Sequence, residues 1–233
     1  MKSLLFLFLV YLSVACCFFA PVESSAGSGL EPQVQQENNV CFLWAFGATV
    51  NSGSDQKLVP ITRDTTLKTG DQLKIFVELK KKCYVYLLYY DSQGNFKMLF
   101  PYDIKEFTSD CKTSEEFFIP PGNFMFTLDE NVGLETFHLL ASADRLVQLE
   151  RLIVEHVSGT LANKAESAKK ILSQIRKIKK SNKKFSAVAE RPVSIGGRLR
   201  AIDDEPDPLD VTTIAVEISA KIFYGRTFTV EHQ

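Results

Sequence analysis

The stretch KKKCYVYLLYYDSQGNFKMLFP, residues 80–101, decides the fold. Its first half carries apolar side chains on both faces of an extended chain. Val85 and Leu87 lie on one face, and the other face holds Tyr84, Tyr86, Leu88 and Tyr90. Two apolar faces are typical of a central strand that is covered on both sides. The aromatic side chains therefore indicate packed core, with an open carbohydrate-stacking face as the alternative interpretation.

The second half of the stretch turns the chain back. DSQGN, residues 91–95, supplies turn residues and a glycine for positive φ. Phe96, Met98 and Phe100 then resume alternation, and Pro101 ends the strand because it cannot donate to a ladder. The stretch predicts a β-hairpin.

Alternation of period two predicts strands on either side of this hairpin. QLKIFVELK, residues 72–80, places Leu73, Ile75, Val77 and Leu79 on one face and Lys74, Glu78 and Lys80 on the other. This pattern predicts a half-buried strand. Ile214, Val216 and Ile218 likewise share a face of a late strand. The remaining predicted strands and this late one cover residues 40–50, 116–119, 124–128, 134–141, 212–223 and 226–230.

The period becomes helical after Asp144, a candidate N-cap. One helix follows it, with Leu146, Leu149, Ile153 and Val157 on one face. A second helix is predicted over residues 161–180, and residues 185–209 are predicted to form a loop. The apolar stripe of the second helix consists of Ala168, Ile171, Leu172, Ile175 and Ile178.

The last predicted strand has to pair with earlier strands, so the helices are an insertion. The fold class is therefore mainly β, an antiparallel immunoglobulin-like β-sandwich with an inserted α-helical hairpin at residues 144–181. A single domain spans residues 40–233. With 233 residues, of which 45% are hydrophobic, the chain is long enough for such a core.

The N-terminus has the regions of a secretory signal peptide, residues 1–26, followed by a polar tether, residues 27–39. Lys2 precedes an apolar run over residues 4–20, and the small residues Ser24 and Ala26 favour cleavage after Ala26. An uncleaved membrane anchor is one alternative. Lipidation is another, since Cys16 follows LSVA, which loosely resembles a bacterial lipobox. The sequence predicts an exported protein, periplasmic or secreted, with membrane anchoring as the alternative.

Three cysteines remain after such a leader: Cys41, Cys83 and Cys111. At most one disulfide can form among them, so disulfides are not the framework of the fold. The net charge of −1 gives no overall attraction to nucleic acid.

The order of motifs resembles the bacterial family called domain of unknown function 4384. The motifs are LKTGDQL at residues 67–73, CYVYLLYYDSQGNFKMLFP at 83–101, IPP at 119–121, GLETFHLLAS at 133–142 and FTV at 228–230. The resemblance covers residues 65–142, with closing strands near residues 210–230. It implies an accessory or binding module of exported and envelope proteins, and no catalytic residue. The long basic helical insert departs from the family pattern.

The search for chemistry yields no catalytic or metal residues and no cofactor. A cysteine nucleophile and its base would require one of three cysteines beside one of two histidines: Cys41, Cys83 or Cys111 with His138 or His156. Cys41 and Cys83 lie in apolar strand patterns, where cysteine is usually a small hydrophobic residue. Asp203, Glu205 and Asp207 resemble the start of a calcium loop, yet Pro208 occupies the place of the required glycine. A solvated acidic loop is the favoured interpretation.

A basic helix face is the remaining candidate for binding. Residues 164–184 hold nine Lys or Arg against the single acid Glu166. The surface-binding residues predicted from it are Lys169, Lys170, Arg176, Lys177 and Lys180. Such a face can contact a membrane or a partner, or it can be the solvated side of a helix packed on the sheet.

These patterns predict a non-catalytic, exported binding or scaffolding module of the bacterial envelope. Its partner would be an envelope protein, a glycan or an anionic surface, and not a nucleic acid. Membrane contact would come from lipidation at Cys16 or from the basic helix. The alternatives are a lipidated structural subunit of an envelope assembly and a cysteine hydrolase.

Overall fold

Two β-sheets face each other in the computed structural model, which describes residues 39–52, 55–108, 113–183, 189–192 and 209–233. Within these residues the strands are β1 (Val40–Ser52), β2 (Asp55–Pro60), β3 (Asp64–Leu67), β4 (Gln72–Leu79), β5 (Tyr84–Tyr90), β6 (Phe96–Phe100), β7 (Glu116–Ile119), β8 (Phe126–Thr127), β9 (Gly133–Ser142), β10 (Ala189–Pro192), β11 (Val216–Ala220) and β12 (Phe223–His232). The helices are α1 (Val147–Ser158) and α2 (Leu161–Ser181), and short 3-10 helices span Ile104–Thr108 and Val211–Ile214.

The first sheet has the order β10-β11-β1-β4-β7, with β2 also paired to β1 and β8 to β4. The second sheet has the order β3-β12-β9-β5-β6. All strand pairs are antiparallel except β3 with β12, which are parallel. The predicted fold class, a mainly β antiparallel sandwich with an inserted helical hairpin, is confirmed.

The core between the sheets is built from alternate residues of the paired strands. Phe46 of β1 meets Phe137 of β9 at a ring distance of 4.9 Å, and Phe228 of β12 at 5.6 Å. Trp44 stacks on Phe228 at 5.8 Å. These side chains are nearly fully buried, so the aromatic residues of both sheets interdigitate across the sandwich.

The helical hairpin covers the outer face of the second sheet. Tyr86 and Leu88 of β5 lie in this layer, whereas Val85 and Leu87 face the other sheet. From α2 the same layer receives the apolar stripe Ala168, Ile171, Ile175 and Ile178. The central stretch is therefore covered on both sides, and β12 pairs with β9 across the sequence of the helices, as expected for an insertion.

The outer face of the first sheet is covered at β4, where the sequence pattern predicted a solvent-exposed face. Phe76 of β4 packs there with Leu43, Ala45, Val211 and Ala215. Lys74 and Glu78 are buried as well. The prediction that β4 is half-buried is thus wrong, because the 3-10 helix Val211–Ile214 lies over its second face.

Several predicted boundaries also differ. Residues 211–214 form a 3-10 helix before β11, so Ile214 does not share a face with Val216 and Ile218. Phe124 is exposed and lies outside β8, and β10 lies within the predicted loop 185–209. Predictions about residues 1–38, Cys16, Cys111 and the acidic run 203–207 lie outside the described residues.

The start of α1 is held by the second sheet and not by Asp144. Leu146 is the N-cap residue, and its backbone N–H donates to the Tyr86 hydroxyl at 2.9 Å. That hydroxyl donates in turn to Glu150 Oε1 at 2.6 Å. Arg145 forms a bidentate ion pair with the same carboxylate, in which Nη2 donates to Oε2 at 2.5 Å and Nε donates as well. A buried tyrosine thus replaces the expected side-chain cap.

We expect Tyr86→Phe to lower the free energy of unfolding by about 2 kcal/mol, since it removes one hydrogen bond to a buried charge and one to a helix N-terminus. Chemical denaturation measures this loss. The matched control is Tyr84→Phe, because the Tyr84 hydroxyl forms no hydrogen bond to any described residue; it should stay within about 0.5 kcal/mol of the parent. Equal losses in the two variants would contradict the capping role of Tyr86.

Candidate cationic groove

The five predicted surface-binding residues lie on α2, and all are exposed. Lys170 forms an ion pair with Glu166 at 2.8 Å, between two side chains that are each more than half exposed. Lys169, Lys177 and Lys180 line none of the cavities considered below. Arg176 is the one member of the set that borders a cavity against the sheet. The structure therefore does not gather the predicted residues into one site.

A groove runs between α2 and the outer face of the second sheet, and we call it the cationic groove. It consists of two adjoining cavities of about 490 and 710 Å³ that share Lys179 and Thr227. Their polar lining includes Arg63, Thr136, His138, Arg176, Lys179 and Thr227. Arg176 and Lys179 come from α2, and the other four from the sheet or the loop before β3.

Small side chains on β12 make room for this groove. Gly225, Thr227 and Thr229 alternate with the inward-facing Tyr224 and Phe228, so they point toward the helix side. A Cβ at Gly225 would lie 2.9 Å from the Phe223 ring and 3.4 Å from Lys179 Cγ. A larger residue at position 225 would therefore press first against the Phe223 ring and would fill space beside the stem of Lys179.

The centre of the groove is a hydrogen-bonded chain. Lys179 Nζ donates to Thr227 Oγ1 at 2.8 Å, and the same oxygen lies 3.1 Å from His138 Nδ1. If the threonine hydroxyl donates to Nδ1, the imidazole carries its proton on Nε2. Lys179 keeps two further N–H donors for a ligand.

The electrostatics of the groove favour an anion. Burial lowers the pKa of Lys179, and the nearby Arg63 lowers it further. Burial, Lys179 and Arg176 together lower the pKa of His138 to about 4, so this imidazole is neutral at physiological pH. Within the described part of the chain, no carboxylate forms an ion pair with Arg63, Arg176 or Lys179.

The carboxylates at the rim are already engaged. Asp64 accepts a hydrogen bond from Thr229 Oγ1 at 2.6 Å. Glu190 accepts from Arg226 at 2.9 Å and from the Tyr224 hydroxyl at 3.1 Å. Asp64 keeps its negative charge, but the lining still has four cations against two carboxylates: Arg63, Arg176, Lys179 and Arg226 against Asp64 and Glu190. This excess of positive charge favours binding of a carboxylate or a phosphate.

The residues considered for cysteine chemistry are dispersed. Cys83 is buried in the core between the sheets, and burial raises the pKa of Cys41, which disfavours its thiolate. His138 faces Lys179 and Thr227, and His156 faces Ser167 at 2.7 Å. Cys111 lies outside the described residues. Among the described residues, no group of three or more His, Cys, Asp and Glu side chains has the arrangement of a metal site.

Sequence reasoning found Arg176 but missed Arg63, Lys179 and Thr227 as partners in one groove. Lys179 belongs to the basic run and follows Ile178 of the apolar stripe, so the sequence alone indicated that it lies at the edge of the buried face of α2. The threonines at 227 and 229 alternate with apolar residues, which indicated a polar face on β12. That this face lies under α2 follows only from the packing.

Neither α1 nor α2 has the length and apolar character needed to cross a bilayer, and this holds for every helix in the described ranges. No curated protein and no solved structure matches the chain. Most of the cationic groove lies outside residues 66–145, the part of the chain from within β3 to just past β9 that matches a family model. That family is described as Domain of unknown function (DUF4384), and the match confirms the resemblance noted in the sequence.

Proposed function

We propose that this protein is a non-catalytic, exported binding or scaffolding module of the bacterial envelope that recognises an anionic group through its cationic groove. The export part rests on the leader-like residues 1–26 and on the family resemblance. The observation that carries the binding part is the environment of Lys179. This partly buried cation lies near the cation Arg63 and forms no ion pair with a carboxylate of the described residues.

A partly buried ammonium near a guanidinium is electrostatically unfavourable without a counterion. An anion between α2 and β12 would relieve the repulsion between Lys179 and Arg63 and would accept hydrogen bonds from both. The hydroxyl of Thr136 adds a neutral donor in the same groove. The groove offers charge and hydrogen bonds in a partly desolvated site, where an ion pair is stronger than on an exposed helix face.

A carboxylate or a phosphate is the group that this arrangement fits. An acidic envelope protein, a phosphorylated or acidic glycan and an anionic lipid all carry one. Inorganic phosphate, a hexaglutamate peptide and phosphatidylglycerol vesicles test these sources, because they present an anionic group on a free ion, on a peptide and on a lipid surface.

Lys179→Met is expected to weaken binding of these anionic probes about tenfold, which corresponds to about 1.4 kcal/mol. The substitution keeps the apolar stem and removes the charge. Titration calorimetry for the soluble probes and vesicle cosedimentation for the lipid measure the change. Binding by the parent should weaken as sodium chloride is raised, since the attraction is partly screened.

Lys177→Met is the matched control, because it removes the same charge from the exposed side of the same helix. It should change affinity by less than about twofold. A variant with Ala at 169, 170, 177 and 180 tests the outer face as a whole. If that variant loses binding while Lys179→Met keeps it, the outer face is the site and the cationic groove is not. Absence of binding to all three probes at low salt would also refute the proposal.

A further inference from the structure

A separate cavity lies on the opposite side of the sandwich, on the outer face of the first sheet, and we call it the Thr49 pocket. It has a volume of about 610 Å³, within the range of small-molecule sites. Thr49, Gln56, Gln72, Lys74, Phe118 and Asn123 are among the residues that line it. It shares no lining residue with the cationic groove, so the inference below is independent of the proposed function.

The strand register places these side chains on one face. Thr49 of β1 pairs directly with Gln72 of β4, and Gly47 pairs with Lys74. Phe118 of β7 pairs with Phe76, two residues further along β4. Alternate residues of a strand share one face, so these side chains place the pocket across three adjacent strands.

Lys74 builds one wall of the pocket. Its Nζ donates to the carbonyl oxygens of Pro120, Gly122 and Phe124 at 2.8, 2.6 and 2.6 Å. All three N–H donors of the ammonium are thereby used, and the loop 120–124 is held over the sheet. The ammonium also lies 5.7 Å from the Phe118 ring centre. Lys74 therefore presents no free N–H donor to a ligand.

Four other side chains of the pocket form no hydrogen bond to a described residue: Thr49, Gln56, Gln72 and Asn123. Thr49 Oγ1 is buried and, among the described residues, is the one buried side-chain polar atom without a hydrogen-bond partner. The side-chain amides of Gln56, Gln72 and Asn123 form no hydrogen bond to a described residue. Buried hydroxyls are almost always paired in folded proteins, so an unpaired one that lines a cavity points to a bound polar molecule.

We propose that the Thr49 pocket binds a short neutral saccharide. Side-chain amides both donate and accept hydrogen bonds, as sugar hydroxyls do, and the Thr49 hydroxyl can do the same. Phe118, Met125 and Val211 supply apolar surface for the face of a sugar ring. An anion is disfavoured, because the Lys74 donors are occupied and Asp210 contributes a carboxylate to the lining.

The test is a titration of the full chain with two neutral disaccharides, N,N′-diacetylchitobiose and maltose, followed by methyl NMR of Thr49, Met125 and Val211. We expect these methyl signals to shift with at least one of the two sugars, and Gln72→Ala to raise the dissociation constant at least tenfold. Gln93→Ala, which changes a glutamine in the exposed turn after β5, is the matched control and should leave the constant within twofold.

Thr49→Val separates a ligand-binding hydroxyl from a structural one. The valine has nearly the same shape and removes an unpaired buried hydroxyl, so the melting temperature of the free protein should stay equal or rise while saccharide affinity falls at least fivefold. The proposal is overturned if neither sugar shifts the pocket methyls at millimolar concentration. It is equally overturned if Gln72→Ala and Thr49→Val bind as the parent does.

Discussion

Ile171→Ala is expected to lower the free energy of unfolding by about 3 kcal/mol, within the roughly 2–5 kcal/mol usual for such truncations. Ile171 is fully buried, at 0% exposure, in the layer between α2 and the second sheet. Its truncation removes apolar contacts with that layer and leaves a cavity, since Tyr86 and Leu88 are fixed by their strand and cannot collapse into it. Urea denaturation followed by circular dichroism measures the loss.

Leu161→Ala is the control for this substitution within the same helix. Leu161 begins α2 and is 91% exposed, so its truncation should change stability by less than about 0.5 kcal/mol. The contrast tests whether the hairpin is part of the folded core. If Ile171→Ala proved as mild as Leu161→Ala, the helices would not cover the sheet, and the cationic groove would lose one of its walls.

The cover over the second sheet was predictable, because two local patterns agreed. Tyr86 and Leu88 needed an apolar layer, and the stripe of Ile171 and Ile175 could supply one. Each pattern lies in a single element, and hydrophobic burial is nondirectional, so matching apolar faces is enough to infer that they meet.

The second face of β4 was not predictable in the same way. Lys74 and Glu78 alternate with apolar residues, which indicates solvent exposure in an isolated strand. Lys74 is buried because three carbonyl groups of one loop satisfy its ammonium, and no local pattern encodes that loop's path. The same holds for the cationic groove, whose side chains come from positions between 63 and 229 and meet through strand pairing and the packing of α2 on the sheet.

We expect the free energy of unfolding to depend on pH through His138. Burial, Lys179 and Arg176 lower the pKa of this imidazole from its ordinary 6.5 to about 4. In the unfolded chain the ordinary value applies, so between about pH 6.5 and pH 4 the unfolded state binds a proton that the folded state does not. The contribution of His138 is therefore fully present above about pH 6.5 and is lost as the pH falls toward 4.

One pKa unit corresponds to about 1.4 kcal/mol, so we expect a loss of about 2 kcal/mol between about pH 7 and pH 5. Glu135, whose pKa is raised by burial, contributes a slope of opposite sign, because its folded form is favoured by protonation. Comparison with His138→Asn isolates the histidine, since the asparagine amide can still meet Thr227 but does not titrate. The variant should show a flatter dependence of unfolding free energy on pH over this interval. Parallel curves for the two proteins would mean that His138 is as accessible to protons in the folded groove as in the unfolded chain.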